Sequence, residues 1–303
     1  MRSLLFIPAD SERKLAKALS AGADALILDL EDSVAPDRRQ QARGLAAEFI
    51  RATIPLPQRP KIYVRINPID SADAQADITA VIPARPDGIV QPKPNSGQDV
   101  HRLSIALGHA EERAGLKGHV THILPIVTET PASVLQISTY VGASSRTIAM
   151  SWGAEDLSAV VGSLSNRTSE GILSSPFRLV RDLCLLTAAA ANVEPIDTVF
   201  VSFRDRQGLR RETQEAARDG FTGKMAIHPD QVEPINEIFT PSAAEIAHAD
   251  AVVRTFAVKP NAGVASLDGQ MLDRPHLKLA QKVLARAKAA GVGAATPPPS
   301  RRE

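Results

Sequence analysis

Aromatic residues are scarce in this sequence, where they make up 4% of 303 residues with one Trp and two Tyr. So few rings disfavour a stacking platform for single-stranded nucleic acid. An excess of one charge is also missing, since 35 Lys and Arg stand against 34 Asp and Glu, for a net charge of +1. No overall field attracts nucleic acid or an anionic membrane surface, and we expect neither as a partner.

Cysteine is almost absent, because Cys184 is the single one in the sequence and no disulfide can form within the chain. It lies in an apolar helical pattern with no base evident nearby, so we interpret it as a core residue rather than a nucleophile. The N-terminal apolar stretch is too short for a signal peptide, and no apolar run approaches the length of a membrane span. These features indicate a protein of the reducing cytoplasm.

Nucleotide and zinc motifs are missing as well. No G-x-G-x-x-G follows a predicted strand, and there is no P-loop, no HExxH and no Cys cluster. What is present is an alternation of apolar runs with helical patterns. The runs predict eight strands, at 2–8, 25–31, 61–67, 88–93, 121–129, 146–153, 197–203 and 223–229. Eight strand–helix pairs in about 240 residues favour a closed (β/α)8 TIM barrel over an open sheet.

The pattern divides the chain into a barrel at 1–240, C-terminal helices with a loop at 241–290, and a tail at 291–303. The tail is small, Pro-rich and polar, which is typical of disorder. Two more segments are expected to be loops, a polar one at 157–171 and a Gly-containing one at 258–273.

Charged residues stand where the second to sixth predicted strands end. In chain order they are Glu31 with Asp32, Arg65, Lys93, Glu129, and Glu155 with Asp156. An unpaired buried charge is costly, so these charges have a reason to be there and we expect them to converge on one mouth. In a (β/α)8 barrel that mouth is the active-site face.

Glu129 and Asp156 follow neighbouring strands and would form a hard-oxygen site suited to Mg²⁺. Arg65 offers a planar fork for a substrate carboxylate. Together these groups would bind a 2-oxo or 2-hydroxy acid and stabilise an enolate, as carbon–carbon cleavage requires. Glu31 and Asp32 would stand behind them, holding metal-bound water or Arg65. Each residue also has a structural interpretation, as a helix cap or an ion-pair partner.

Nine motifs carry a resemblance to a known family. They are RSLLFIPADSERK, DALILDLEDSVAPDRRQQAR, VRIN, GIVQPK, PIVTET, GAEDL, VSFRD, GFTGKMAIHPDQVEPINEIFTPS and DGQMLDRPHLKLA, in this order from about residue 2 to 290. In them the sequence resembles the citrate lyase beta-subunit-like family of the HpcH/HpaI aldolase and malyl-CoA lyase superfamily. The resemblance implies a (β/α)8 barrel, Mg²⁺, and cleavage or condensation of 3-hydroxyacyl thioesters such as malyl-CoA, citramalyl-CoA or a citryl thioester.

Residue by residue, the resemblance implies that Glu129 and Asp156 bind the metal and that Arg65 contacts the oxo acid. The partners would be a 2-oxo acid and an acyl-CoA thioester, for which Arg2 and Lys14 are the basic residues we can offer toward the CoA moiety.

The resemblance also implies an acid/base role for Asp273, in a G-x-M-x-D motif, with Asp268 as a weaker second candidate. Its C-terminal segment would be a lid that reaches into a neighbouring subunit, which implies a homo-oligomer, a trimer or hexamer. The residues alone would make Asp273 only a helix N-cap before Pro275.

Three alternatives stay open from the sequence. The same metal site could hydrolyse the thioester, as an acyl-CoA thioesterase does. It could act on free 2-oxo acids as a class II aldolase. The chain could also be a binding or scaffold barrel that has kept the fold and lost turnover.

Overall fold

The structure is a computed structural model that describes residues 1–258 and 263–292. The chain divides into two compact units, the first at Met1–Asn236 and the second from Glu237 onward. Most of the predicted tail, residues 293–303, and residues 259–262 of the predicted C-terminal loop lie outside the described residues.

The described part of the first unit contains eight parallel strands. They are β1 Ser3–Pro8, β2 Ala25–Asp29, β3 Lys61–Arg65, β4 Gly88–Gln91, β5 His122–Pro125, β6 Ala149–Ser151, β7 Glu194–Asp197 and β8 Gly223–Ala226. Their order is β5-β4-β3-β2-β1-β8-β7-β6. Parallel bridges from Ile123 to Thr147 and from Ile126 to Ser151 join β5 to β6 and close the ring. The prediction of a (β/α)8 barrel is confirmed.

Helices follow the strands around this ring, and two more belong to a C-terminal extension. They are α1 Glu12–Ala18, α2 Arg39–Thr53, α3 Ala72–Val81, α4 Gly97–Arg113, α5 Pro131–Leu135, α6 Ala154–Val161, α7 Ser175–Ala191, α8 Arg206–Asp219, α9 Val232–Phe239, α10 Ala243–Val258 and α11 Arg274–Ala289. None of the helices that the structure describes is long and apolar enough to cross a membrane.

Strand alternation decides which residues enter the barrel. The interior is packed with buried apolar side chains that include Leu4, Ile27, Tyr63, Val90, Leu124, Ile196 and Met225. Because every second residue of a strand points to the same face, Asp29 follows Ile27, and Arg65 follows Tyr63, on the inward side. The two charged residues lie opposite each other in the register of β2 and β3. At the carboxyl end of the barrel, the inward-pointing side chains therefore change from apolar to charged within one layer of residues.

The predicted seventh strand, at 197–203, was misplaced. The strand is Glu194–Asp197, which pairs with β6 and β8. A proline is unfavourable inside a strand, yet the carbonyl of Pro195 accepts a hydrogen bond from the Thr222 N–H at 2.9 Å. A proline can hold a short strand position when its carbonyl remains in the ladder.

Both predicted loops contain regular structure. The first part of the polar loop at 157–171 belongs to α6, which ends at Gly162 in the left-handed conformation that favours glycine. The C-terminal loop forms a hairpin of β9 Val264–Leu267 and β10 Gln270–Asp273. Asp268 and Gly269 have φ of 49° and 79° at its turn, and Asp-Gly is a strong hairpin signal that the sequence interpretation missed.

The second unit has a small core of its own. Ala249, Val252 and Phe256 of α10 pack with Leu272 of β10 and Ala280 of α11. The predicted C-terminal helical extension is therefore present as two helices and a hairpin.

Candidate active site

A cavity of about 330 Å³ opens at the carboxyl ends of the barrel strands. Its residues all come from the first unit. The charged ones are Asp29, Asp32, Arg65, Glu129, Glu155 and Asp156, and the larger apolar ones are Phe6, Ile126, Trp152, Met225 and Ile227. The end of the barrel where the strand-end charges were expected therefore carries a cavity lined by five of them.

Glu129 lies just past β5 and is 2% exposed. Its Oε2 accepts the backbone N–H of Lys93 at 2.5 Å. Burial raises the pKa of Glu129 well above its usual value, and the negative charge of Asp156 raises that pKa further. The chain turns directly after Glu129, since Thr130 caps the N-terminus of α5. The carboxyl group is thereby fixed at the floor of the cavity.

Asp156 stands in the first turn of α6, where negative charge is favoured by the helix dipole. Its side chain is 30% exposed, and its Oδ1 lies 3.2 Å from Lys93 Nζ. Gly153, the N-cap residue of α6, passes close to Glu129, because a Cβ on Gly153 would lie 2.6 Å from Glu129 Cγ. The glycine thus leaves room for Glu129 beside the helix that carries Asp156.

The two carboxylates fit a divalent hard cation. The charge of Asp156 raises the pKa of Glu129, and a cation between the two oxygen donors would offset that repulsion. Within residues 1–258 and 263–292, no group of three or more His, Cys, Asp or Glu side chains is arranged to hold a metal. Two protein oxygens leave the other positions to water and a chelating ligand, the usual arrangement for Mg²⁺.

Arg65 is less free than the sequence suggested. Its Nε and Nη2 each donate to a carboxylate oxygen of Asp29 at 2.7 Å, and its guanidinium lies 4.8 Å from the ring centroid of Phe6. Nη1 lies 3.2 Å from Oε2 of Glu31. The two guanidinium nitrogens that were expected to bind a substrate carboxylate are thus bound to Asp29. Nη1 is the guanidinium nitrogen that remains nearest to the other negative groups of the mouth.

Asp29 is the residue that sequence reasoning missed. It is 1% exposed. Burial alone would raise its pKa, but the hydrogen bonds and positive charge of Arg65, with hydrogen bonds from Ser33 and Glu31, together outweigh burial and lower it. The available signal was a carboxylate inside the buried run ALILDL, at the register position opposite Arg65. A charge that is this deeply buried must be paired.

Glu31 and Asp32 both contact Lys93, another of the strand-end charges expected at this mouth. Lys93 Nζ lies 2.6 Å from Glu31 Oε1 and 2.9 Å from Asp32 Oδ2. Glu31 is buried and Asp32 is exposed. Burial raises the pKa of Glu31 to about 7 despite the attraction of Arg65 and Lys93. The two adjacent acids therefore lie beside both positively charged side chains of the site, Lys93 and Arg65.

Asp273 belongs to the second unit and caps α11. Its side chain accepts the backbone N–H of His276, and its Oδ1 lies 2.5 Å from His276 Nδ1. The hydrogen bond from His276 lowers the pKa of Asp273. The N-cap interpretation of Asp273 is therefore correct, and its predicted acid/base role stays a prediction.

Two other expectations can be compared with the structure. Cys184 is buried and burial raises the pKa of its thiol, which suits a core residue. Arg2 pairs with Asp24 just ahead of β1 and β2, which places it at the end of the barrel opposite the cavity.

Comparisons with known proteins agree with this architecture. The family model described as HpcH/HpaI aldolase/citrate lyase matches residues 2–229. The chain is 32% identical to the citrate lyase subunit beta of Haemophilus influenzae, with 95% of this chain and 97% of the relative covered. It is 34% identical to a (3S)-malyl-CoA thioesterase of Cereibacter sphaeroides, with 95% of each covered.

A solved structure matches equally well. It is the protein CitE from Mycobacterium tuberculosis in complex with magnesium, acetoacetate and coenzyme A, with a TM-score of 0.73 and 32% identity over 95% of this chain and 98% of that one. The chain belongs to the HpcH/HpaI aldolase/citrate lyase family and is an enzyme of the carbon–carbon lyase class.

Proposed function

We propose that this protein is a Mg²⁺-dependent lyase that cleaves, or in reverse forms, the carbon–carbon bond of a 3-hydroxyacyl thioester such as malyl-CoA, citramalyl-CoA or a citryl thioester. The observation that carries the proposal is the placement of Glu129 and Asp156 at one cavity, with their charges opposing each other. The similar CitE protein, crystallised with magnesium, acetoacetate and coenzyme A, supports the choice of metal and ligand class.

Glu129 and Asp156 would hold the cation, which when bound supplies a Lewis acid for the oxygens of an oxo or hydroxy acid. Asp29 keeps Arg65 charged and fixed, so that Nη1 can neutralise negative charge that develops at the mouth. The apolar wall of Phe6, Ile126 and Met225 excludes water from the reacting carbons.

In the cleavage direction the substrate hydroxyl would pass its proton to the carboxylate of Asp273 and the neighbouring carbon–carbon bond would break, which gives a 2-oxo acid and a thioester enolate. Asp273 would then protonate that enolate at carbon, and in reverse would deprotonate the acyl group. We place Asp273 on a lid formed by residues 241–290 of a neighbouring copy, in a cytoplasmic homotrimer or hexamer. Arg65 and Asp273 are thus the proposed catalytic pair.

The test is a product analysis with malyl-CoA and citramalyl-CoA, for the unsubstituted enzyme, Glu129→Gln and Asp156→Asn. We expect acetyl-CoA with glyoxylate or pyruvate from the unsubstituted enzyme in Mg²⁺, and at least a hundredfold loss of kcat/KM in each variant, because each loses one of two protein ligands. Glu129→Gln should stay folded, since it removes a buried charge that opposes Asp156. Turnover of either variant near that of the unsubstituted enzyme would refute the metal site.

Hydrolysis is the second candidate, favoured by the 34% identity to the malyl-CoA thioesterase. In that case malyl-CoA would give free malate and CoA, without glyoxylate. The same assay separates the two, because mass spectrometry distinguishes malate from glyoxylate.

A further inference from the structure

Lys93 lies at the mouth, and the proposed reaction assigns it no role. It follows β4 and adopts φ of 48°, a left-handed conformation that is uncommon for a long side chain. Other residues with such φ, Arg85 and Asn192, stand at helix ends, where this conformation closes the helix. Lys93 ends no helix, so its backbone conformation needs another reason.

That reason is a set of contacts with four acidic side chains of the mouth. The left-handed backbone turns the N–H of Lys93 onto Glu129 Oε2 at 2.5 Å. The side chain crosses to the end of β2, where Nζ lies 2.6 Å from Glu31 and 2.9 Å from Asp32. Nζ also lies 3.2 Å from Oδ1 of Asp156. One residue thus contacts both proposed metal ligands, one through its backbone and the other through its ammonium group.

We infer that the Lys93 ammonium is a built-in counter-cation that limits the affinity of the site for divalent metal. This inference rests on the proposed function. The ammonium group and a divalent cation would both bind the carboxylate of Asp156, and two cations that share one carboxylate repel each other. Glu31 and Asp32 hold Nζ in place, so the ammonium does not simply turn away to solvent.

Charge counting gives the direction of the effect. The mouth carries the carboxylates of Asp29, Glu31, Asp32, Glu129 and Asp156. Two side chains within the described residues oppose them there, Arg65 and Lys93, and Arg65 is paired with Asp29. Removing the Lys93 charge therefore makes the potential at Glu129 and Asp156 more negative, which must favour a divalent cation.

The experiment measures Mg²⁺ binding by titration calorimetry on the full-length chain without substrate. Lys93→Met keeps the stem of the side chain and removes its charge, Lys93→Arg keeps the charge, and the exposed Lys17→Met is the matched control for loss of one positive charge. We expect Lys93→Met to bind Mg²⁺ at least tenfold more tightly. Lys93→Arg and Lys17→Met should stay within threefold of the unsubstituted protein.

An unchanged or weaker Mg²⁺ affinity in Lys93→Met, with a normal thermal unfolding transition, would overturn the inference. If Lys93→Met does not fold, Lys93→Gln replaces it, because an amide still donates to Glu31. Combining Glu129→Gln with each variant separates the two proposals. If Glu129→Gln leaves Mg²⁺ binding intact, the metal site itself is wrong. If it abolishes binding while Lys93→Met changes nothing, only the role of Lys93 is wrong.

Discussion

Burial and ion pairing shift the pKa values of two neighbouring acids of the mouth, Asp29 and Glu31, in opposite directions. Asp29 and Glu31 are both almost fully buried and stand two positions apart. The pKa of Asp29 is lowered, since the hydrogen bonds and charge of Arg65, together with hydrogen bonds from Ser33 and Glu31, outweigh its burial. The pKa of Glu31 is raised to about 7, since burial outweighs its contacts with Arg65 and Lys93. At the scale of single residues, geometry of pairing rather than depth decides which acid stays ionised.

Glu31 should therefore make the stability of the protein depend on pH. Its pKa is near 4.5 when unfolded and about 7 when folded, so between these values the folded state binds more protons. Stability contributed by protonated Glu31 is full below pH 4.5 and is lost as pH rises through 7. The free energy of unfolding, taken as unsubstituted minus Glu31→Gln, should fall by roughly 3 kcal/mol across that window.

Urea denaturation in EDTA at pH 4.5 to 8 measures this difference. The exposed Glu48→Gln provides the matched control for the loss of one glutamate side chain. A difference between the unsubstituted protein and Glu31→Gln that stays flat with pH would contradict the account of Glu31.

Strands and helices bring the site together through one close approach. The N-terminus of α6 passes Glu129 at Gly153, and this position has no room for a side chain. Because Gly153 precedes Asp156 by less than one helical turn, the spacing of the two carboxylates depends on how closely α6 approaches the end of β5. A glycine is therefore required at position 153 by packing rather than by backbone conformation, since its φ of −123° suits any residue.

Gly153→Ala should move Glu129 away from Asp156. We expect at least a tenfold weaker Mg²⁺ affinity, measured by calorimetry, with a cooperative unfolding transition that is retained. Gly44→Ala is the control, because a Cβ at Gly44 of α2 would meet nothing within 4 Å. That substitution should leave affinity unchanged and slightly stabilise the helix. Equal Mg²⁺ affinity in Gly153→Ala and the unsubstituted protein would show that the close approach is unimportant.

The sequence could place Glu129 and Asp156 at one mouth because each follows a buried apolar run, and parallel strands end on the same face. It could not place strand β7, since Pro195 interrupts the pattern while a later run, VFVSF, imitates a strand. The contacts of Asp29 and Lys93 were out of reach for another reason. Their partners come from other strands, and only the register of β2 with β3 and the left-handed backbone of Lys93 bring them together.

At the scale of the whole molecule, the chain joins a complete barrel to a second compact unit that carries Asp273. The described residues that line the cavity belong to the first unit. In our proposal, the second unit of a neighbouring copy closes over the mouth and brings Asp273 to it. An oligomer would then be needed for turnover.

Mixing two inactive variants tests that requirement. Glu129→Gln and Asp273→Asn should each be inactive alone, and co-expressed chains should regain lyase activity. With random assembly about a quarter of the sites would combine an intact Glu129 with an intact Asp273 from the neighbour. Mixed oligomers with no more activity than either variant would rule out an acid/base group donated between chains.

The central claim is that one cation is held between Glu129 and Asp156, and anomalous diffraction from crystals soaked in Mn²⁺ tests it most directly. The account predicts a single strong anomalous peak at the cavity floor, within bonding distance of a carboxylate oxygen from each residue, and its loss in Glu129→Gln crystals. A peak elsewhere, or one that contacts neither carboxylate, would contradict the account.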